Sequence, residues 1–225
     1  MSLLRRRGIA AARREDAPVP SGVQFVGAQI VTSTTTVGPI SVDKPTGVAS
    51  GMLLIAIHVT RGGDTDPPDG FTILREDQSG SGALQSQMWI ATKTAGASEP
   101  ATYDFTLLTG GGRTYAILAF SNHDGVGAHG GASSTDGTFT APSVAGTADG
   151  LLLSVFSGRE VALGTSPLPA GQTEIGRGFD GAASGGSFIA GYEALTVTEA
   201  TGDRTLTPSS GARESSANVA LDPSV

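Results

Sequence analysis

The sequence predicts an all-β protein, an antiparallel β-sandwich of jelly-roll-like type with an extended N-terminal arm. Short runs rich in Val, Ile, Leu, Thr and Phe, each of about 5 to 10 residues, recur from Val23 to Leu221. The 33 glycines and 12 prolines among 225 residues indicate many turns between these runs. The chain also resembles itself at a period of about 100 residues, which indicates a duplicated fold.

The segments that have the character of strands begin close to the end of the arm and continue to the end of the chain. The predicted strands are 23–31, 38–42, 52–60, 71–75, 85–94, 102–107, 113–121, 137–141, 151–157, 172–177, 186–197, 203–207 and 214–221. Residues 52–57 and 151–153 are continuous apolar runs, which are typical of central strands covered on both faces. Residues 85–94 alternate instead and place Trp89 on a face with polar side chains, so we expect that face to be exposed.

Four blocks of the two halves align in the same order. Residues 49–54 match 148–153, 68–72 match 169–173, 105–106 match 206–207, and 116–120 match 217–221. We expect one domain over 23–225, built from pseudo-repeats 23–121 and 122–225, with each copy contributing strands to both sheets. That packing buries more surface per residue than two tandem small β domains, which are the alternative.

Charge separates the first 22 residues from the rest of the chain. The formal net charge is −7, yet residues 1–22 hold five arginines against Glu15 and Asp16 and carry +3. The remainder, which we call the body, has 9 basic and 19 acidic residues and carries −10. A body of this sign repels nucleic acid at long range, so we expect no nucleic acid bound to it.

The arm is interpreted as a docking segment followed by a stiff, Pro-containing linker at 17–20. The residues expected to contact a partner are Leu3, Leu4, Arg5, Arg6, Arg7, Arg13 and Arg14. Charged residues at 13–16 interrupt the place where an export signal would be apolar, so we expect no signal peptide and no membrane insertion. A tail that stays disordered is the alternative.

Metal chemistry has little support. The chain has no cysteine, which excludes disulfides and thiolate zinc sites. Asp64, Asp66 and Asp69 supply oxygen ligands of the kind that calcium takes, but their spacing is not that of an EF-hand, and we interpret them as a solvated turn. His123 and His129 lie in a Gly-rich segment that we interpret as the connection between the repeats.

Catalytic motifs are absent from the sequence, and we expect neither an enzyme nor a cofactor. No Gly-x-Ser-x-Gly nucleophile motif occurs, and the glycines at 110–112 lie between two strands rather than before a helix that binds phosphate. His58 lies within an apolar strand, where we expect a hydrogen-bonded structural histidine.

A glycan-binding face is the alternative that aromatic residues suggest. With one Trp and three Tyr in the chain, a platform for stacking sugar rings would depend on Trp89, Tyr103, Tyr115 and Tyr192. An aromatic residue in a strand more often belongs to the core, so the exposure of Trp89 decides between the two interpretations.

Several segments together resemble a known class of β-sandwich modules. They are 50–56, the run Pro-Pro-Asp-Gly-Phe-Thr at 67–72, 89–94, the run Ser-Glu-Pro-Ala-Thr-Tyr-Asp-Phe-Thr at 98–106, 141–143 and 147–152. This succession resembles the modules of tailed-bacteriophage virion proteins, especially minor tail and fibre proteins. The resemblance covers about 23–160 directly and the rest through the internal repeat.

The resemblance implies a structural protein of the virion, made in the host cytoplasm. Its expected place is a minor tail or fibre position, where the arm anchors it to other virion proteins, in several copies, and the sandwich faces the host surface. A carbohydrate-binding module for host envelope glycans and a capsid decoration protein are the two alternatives. The family supplies no catalytic motif, so the resemblance implies no catalytic residue.

Overall fold

A computed structural model describes most of the body. The described residues are 21–33, 39–60, 66–81, 85–106, 112–135, 137–159, 163, 165–179, 186–208 and 213–225. Their regular structure is antiparallel β-strand, which confirms the predicted all-β class. In this part of the chain no helix is both long enough and apolar enough to cross a bilayer.

The strands follow the predicted segments closely, with one addition. They are β1 Gln24–Ser33, β2 Ile40–Asp43, β3 Leu53–Thr60, β4 Thr72–Ser79, β5 Ser86–Thr94, β6 Thr102–Phe105, β7 Arg113–Ser121, β8 His123–Ser134, β9 Phe139–Ala141, β10 Leu151–Arg159, β11 Thr173–Gly178, β12 Gly186–Ala194, β13 Arg204–Leu206 and β14 Arg213–Pro223. The addition is β8.

The first seven strands and the last seven have the same topology. One five-stranded sheet has the order β1-β7-β3-β5-β4, and the other has the order β11-β12-β10-β14-β8. Two small sheets pair β2 with β6 and β9 with β13. Each strand of the first repeat therefore corresponds to the strand seven places later, which confirms a sandwich built from two repeats.

Each five-stranded sheet is built from one repeat only. This differs from the expectation that each copy contributes strands to both sheets. The reason is connectivity, because strands of one repeat that pair with one another need only short connections on one sheet. The two repeats meet instead through the faces of their five-stranded sheets, where β1 lies against β11 and β4 lies against β8.

The protein has four layers of sheet and three main cores. The central core lies between the two five-stranded sheets and includes Ile55, Ile57, Leu118, Leu153, Val155 and Val219 from both repeats. A second core, around Trp89 and Phe105, lies between the first large sheet and β2–β6. A third, around Phe156 and Leu206, lies between the second large sheet and β9–β13. Both large sheets are therefore covered on both faces, which explains the continuous apolar runs in β3 and β10.

Strand β8 corrects the interpretation of residues 122–131 as a connection between repeats. It is a 12-residue edge strand that pairs with β14. Two of its glycines, Gly130 and Gly131, lie where other layers approach closely. A Cβ at Gly130 would lie 3.2 Å from Pro142, and a Cβ at Gly131 would lie 2.0 Å from the Arg75 guanidinium. A larger residue at Gly131 would have to displace the Arg75 side chain, and one at Gly130 would have to shift its neighbours by a few tenths of an ångström, because neighbouring layers approach both faces of the strand.

Hydrogen-bond register confirms the alignment of 68–72 with 169–173 and of 116–120 with 217–221, and it shifts the first block by one residue. Leu53 pairs with Phe120 in the first repeat, and Leu151 pairs with Leu221 in the second, so Leu53 corresponds to Leu151 rather than Leu152. Alignment by residue identity instead matches Gly51 with Gly150. In the structure Asp149, at φ 63°, takes the left-handed position that a glycine holds in the first repeat. A shift of one residue exchanges inward and outward positions of a strand.

Candidate functional site

The arm joins the body at a fixed point at one end of the sandwich. Residues 1–20, including the whole predicted docking set, lie outside the described residues. At the junction the Val23 N–H donates a hydrogen bond to the Asp149 carbonyl at 3.0 Å. Gly22 has φ 92°, and a Cβ there would lie 2.5 Å from the same carbonyl oxygen. The repeats thus meet where the arm enters, and glycine is required because the two chain segments touch.

The aromatic residues predicted to form a glycan face are mostly buried, and that alternative is wrong for three of them. Trp89 and Tyr103 are each 2% exposed, and Tyr115 is 0% exposed. The Trp89 ring stacks on Phe105 with centroids 5.7 Å apart. These side chains are buried because the small sheet β2–β6 covers the outer face of the first large sheet. Strand alternation alone does not predict that covering sheet.

Tyr192, the fourth aromatic residue, is half-buried. Its ring lies 5.4 Å from that of Phe25 on β1, beside the central core. It therefore contributes to the contact between the repeats, and it is not adjacent to the other three aromatic residues, which belong to the core under β2–β6.

His58 is a buried aromatic side chain in that same core. Its ring stacks on Tyr115 with centroids 4.8 Å apart and lies 5.3 Å from Trp89. Burial, together with the positive charge of Arg113, lowers the pKa of His58 from 6.5 to about 3. The imidazole is therefore neutral in the folded protein at ordinary pH, as expected of a structural histidine.

An ion pair fixes the end of β5 in the first repeat. Lys93 Nζ lies 2.8 Å from Glu99 Oε2, the Tyr103 hydroxyl donates to the same oxygen at 3.0 Å, and the Gly96 N–H donates to Oε1 at 2.6 Å. Partial burial opposes ionisation of Glu99, but these hydrogen bonds outweigh it and lower the pKa of the carboxyl. Burial raises the pKa of the Tyr103 hydroxyl well above its usual range.

The second repeat reverses the charges at the corresponding place. Glu193 on β12 corresponds to Lys93, and it accepts hydrogen bonds from Arg204 on β13. Arg204 also donates to the Thr201 carbonyl at 2.7 Å. The partners differ, because Arg204 lies on the small-sheet strand β13, whereas Glu99 lies on the connection between β5 and β6 and reaches the small sheet through its hydrogen bond from Tyr103. The role of both ion pairs is structural.

The metal alternatives do not converge on a site. Among the described residues no group of three or more His, Asp or Glu side chains could hold a metal ion. Asp66 and Asp69 are exposed, and Asp64 lies outside the described part of the chain. His123 and His129 lie six residues apart on one strand, about 20 Å along its axis. His123 Nε2 is 3.0 Å from the Gly51 carbonyl, and this contact joins the repeats.

Comparison with known proteins found no relative of this chain. No protein-family model, no curated protein and no solved structure matches the chain. The fold and the contacts described above define its class as a duplicated, four-layered all-β sandwich with a basic arm.

Proposed function

We propose that the chain is a non-enzymatic structural protein of a bacteriophage particle. In this proposal it is a minor tail or fibre component, anchored by its N-terminal arm, with its sandwich directed toward the host surface. The single observation that carries the proposal is the separation of charge between an arm of +3 and a body of −10, joined at one defined end of the sandwich. The virion context comes from the resemblance of the sequence segments to tail and fibre modules.

The distribution of charge within the body supports an arm that binds other subunits. Many of its basic side chains are engaged within the body, in the ion pairs Arg75–Asp77, Lys93–Glu99, Arg177–Glu174 and Arg204–Glu193. Asp43, Asp69 and Asp104 are exposed. A basic arm and an acidic body attract each other between copies, and the attraction orients subunits before contact.

The architecture supports a load-carrying role rather than a hinged one. Both repeats contribute to the central core, and the Thr114 hydroxyl of one repeat donates to the Gly186 carbonyl of the other at 2.8 Å. The Gly186 N–H in turn donates to the Gly112 carbonyl at 3.1 Å. Such a core makes the two repeats one stiff unit, which suits a component that projects from a particle.

Deletion of residues 1–20 tests the proposal. We expect the shortened chain to keep its cooperative unfolding transition and its β-sheet circular dichroism, because the body supplies the cores. We also expect it to be missing from purified particles assembled by a phage that carries the shortened gene. A matched variant that changes Arg5, Arg6, Arg7, Arg13 and Arg14 to glutamine keeps the arm length and should lose incorporation as well.

Two results would overturn this proposal. Normal incorporation of the shortened chain would show that the arm is not the anchor. Absence of the unaltered chain from purified particles would remove the virion role itself. Separation of tails from heads before detection distinguishes the tail position from that of a capsid decoration protein.

A further inference from the structure

The loop that joins β12 to β13 borders an open groove at the end of the sandwich where the arm enters. The groove has a volume of about 520 Å³. Its apolar lining includes Leu195 and Val197, and Val197 is 50% exposed. Its acidic lining is Glu193, which is paired with Arg204, and Glu199, which is exposed. The groove therefore combines apolar surface with an excess of negative charge.

A difference between the repeats explains why Glu199 is exposed. In the first repeat Glu99 follows Lys93 by six residues and folds back onto it, so that the Glu99 side chain is only 4% exposed. In the second repeat Glu199 follows Glu193 by six residues, and the like charge of Glu193 disfavours the same conformation. Arg204 is already engaged by Glu193, and no described basic side chain forms an ion pair with Glu199. The Glu199 carboxylate is therefore accessible to an incoming cation.

The groove lies beside the point where the arm leaves the body. The Val23 N–H donates to the Asp149 carbonyl at 3.0 Å, and the Asp149 N–H donates to the Leu195 carbonyl at 2.9 Å. Two such steps between neighbouring extended segments place Leu195 about 10 Å from Val23. An extended chain spans about 3.3 Å per residue, so Arg13 and Arg14 can lie up to about 30 Å from Val23. The groove is therefore within reach of the arm.

The order of residues in the arm matches the order of residues along the loop. Next to the junction the arm has the apolar linker 17–20, and farther out it has the two arginines at 13–14. Along the loop, Val197 comes first after the contact with the junction, and Glu199 follows it. The first 22 residues carry +3 with their two acidic residues included, so the arm and the groove attract each other.

We propose that this groove holds the arm of the same chain while the chain is free, with the linker against Val197 and the arginines at 13–14 beside Glu199. Guanidinium groups suit this position because they form paired hydrogen bonds with a carboxylate. The junction keeps the arm close to the groove and raises its effective concentration to about 1 mM. For a dissociation constant of about 0.1 mM, the docked arm outnumbers the undocked arm about tenfold.

This inference goes beyond the proposed virion role, because it concerns the free chain and needs no particle. A partner subunit that takes the arm has to displace it from the groove. Incorporation into particles tests the virion role separately, so either proposal can fail without the other.

Trypsin cleavage of the full chain tests the docking, because the protease cuts after the arginines of the arm only when they are undocked. Cleavage after residues 13 and 14 is followed by mass spectrometry in the unaltered chain and in Glu199→Lys. When docking is fast, the cleavage rate follows the undocked fraction. We expect Glu199→Lys to be cleaved about ten times faster at low salt. Sodium chloride at about 0.5 M should reduce this difference, because salt screens the attraction.

Two further variants make the test specific to the groove. Val197→Asp changes the exposed apolar side chain of the groove and should also accelerate cleavage. Asp69→Lys is the matched control, because it makes the same change of charge at an exposed position of the first repeat that does not line the groove. It should leave the cleavage rate unchanged. All three positions are exposed, so the Tm of each variant should stay close to that of the unaltered chain.

Equal cleavage rates in the unaltered chain and in Glu199→Lys would overturn the proposal. An equal acceleration in Asp69→Lys would overturn it too, because the arm would then respond to net charge rather than to the groove. Loss of protection on about a hundredfold dilution would assign the groove to the arm of a neighbouring copy, and this result would also overturn docking within one chain.

Discussion

Replacement of His58 by phenylalanine should remove most of the pH dependence of stability between pH 7 and pH 5. The histidine lies fully buried in the core beneath β2–β6, and burial lowers its pKa from 6.5 to about 3. Between these two values the unfolded chain binds a proton that the folded chain does not bind. The stabilising contribution of neutral His58 is therefore fully present above pH 6.5. It decreases as the pH falls below 6.5 and continues to decrease until the pH reaches the folded pKa of about 3.

The magnitude follows from the two pKa values. One pKa unit corresponds to about 1.4 kcal/mol, so the folded protein should lose about 2 kcal/mol between pH 7 and pH 5, and about 5 kcal/mol over the full interval. Full burial means that solvent does not screen this effect. The carboxyl groups of Glu99 and Glu174 have pKa values lowered from 4.5, so their own contributions are lost at more acidic pH.

Phenylalanine is the appropriate replacement because the second repeat already uses it. The register that aligns Leu53 with Leu151 aligns His58 with Phe156, which packs beneath the other small sheet at 6.3 Å from Phe139. The variant keeps an aromatic ring of similar shape and removes the titratable group. The other two histidines are present in both proteins and cancel in the comparison.

Urea unfolding at pH 7 and at pH 5, measured for both proteins, gives the four free energies needed. We expect the unaltered chain to lose about 2 kcal/mol more than the variant on going to pH 5. Equal losses in the two proteins would refute the reasoning, because they would show that His58 is protonated equally in the folded and unfolded chains.

Three further predictions concern packing. Trp89→Ala should lower the free energy of unfolding, measured in urea, by about 3 to 5 kcal/mol. In the unaltered folded protein, iodide should quench Trp89 fluorescence only weakly, and strong quenching would contradict the burial of Trp89. Gly186→Ala should destabilise by about 1 to 3 kcal/mol, because its Cβ would lie 2.9 Å from a carbonyl of the facing sheet. Gly96→Ala, whose Cβ would make only an ordinary contact, is the control, and equal losses would contradict the close approach. Because φ is 63° at position 149, Asp149→Gly should change the free energy of unfolding little, whereas Asp149→Val should lower it by about 1 to 2 kcal/mol. Equal free energies of unfolding for these two variants would contradict the left-handed backbone.

The fold was largely predictable because its signals are local. Apolar runs separated by turn residues marked thirteen of the strands, and the turns at 68–72 and 169–173 aligned the repeats correctly. Strand β8 was not predicted because its glycine content is typical of a loop. In the structure, Arg75 and Pro142 approach two of these glycines, Gly131 and Gly130, from other layers. Such contacts join residues far apart in sequence, and no local pattern contains them.

The candidate site was much harder to predict, for a related reason. Alternation in 85–94 correctly separated the two faces of β5, but exposure depends on what covers a face, and β2–β6 covers the face that holds Trp89. Charge composition alone supplied the observation that carries the proposed function, because the net charge of a segment needs no fold to be counted.

Cryo-electron microscopy of the assembled particle tests the account most directly. We expect density for the four-layered sandwich at the tail or on a fibre, with residues 1–20 ordered against an acidic surface of another subunit. A particle in which the chain is absent, or in which it is present with the arm free of any contact, would contradict the central claim.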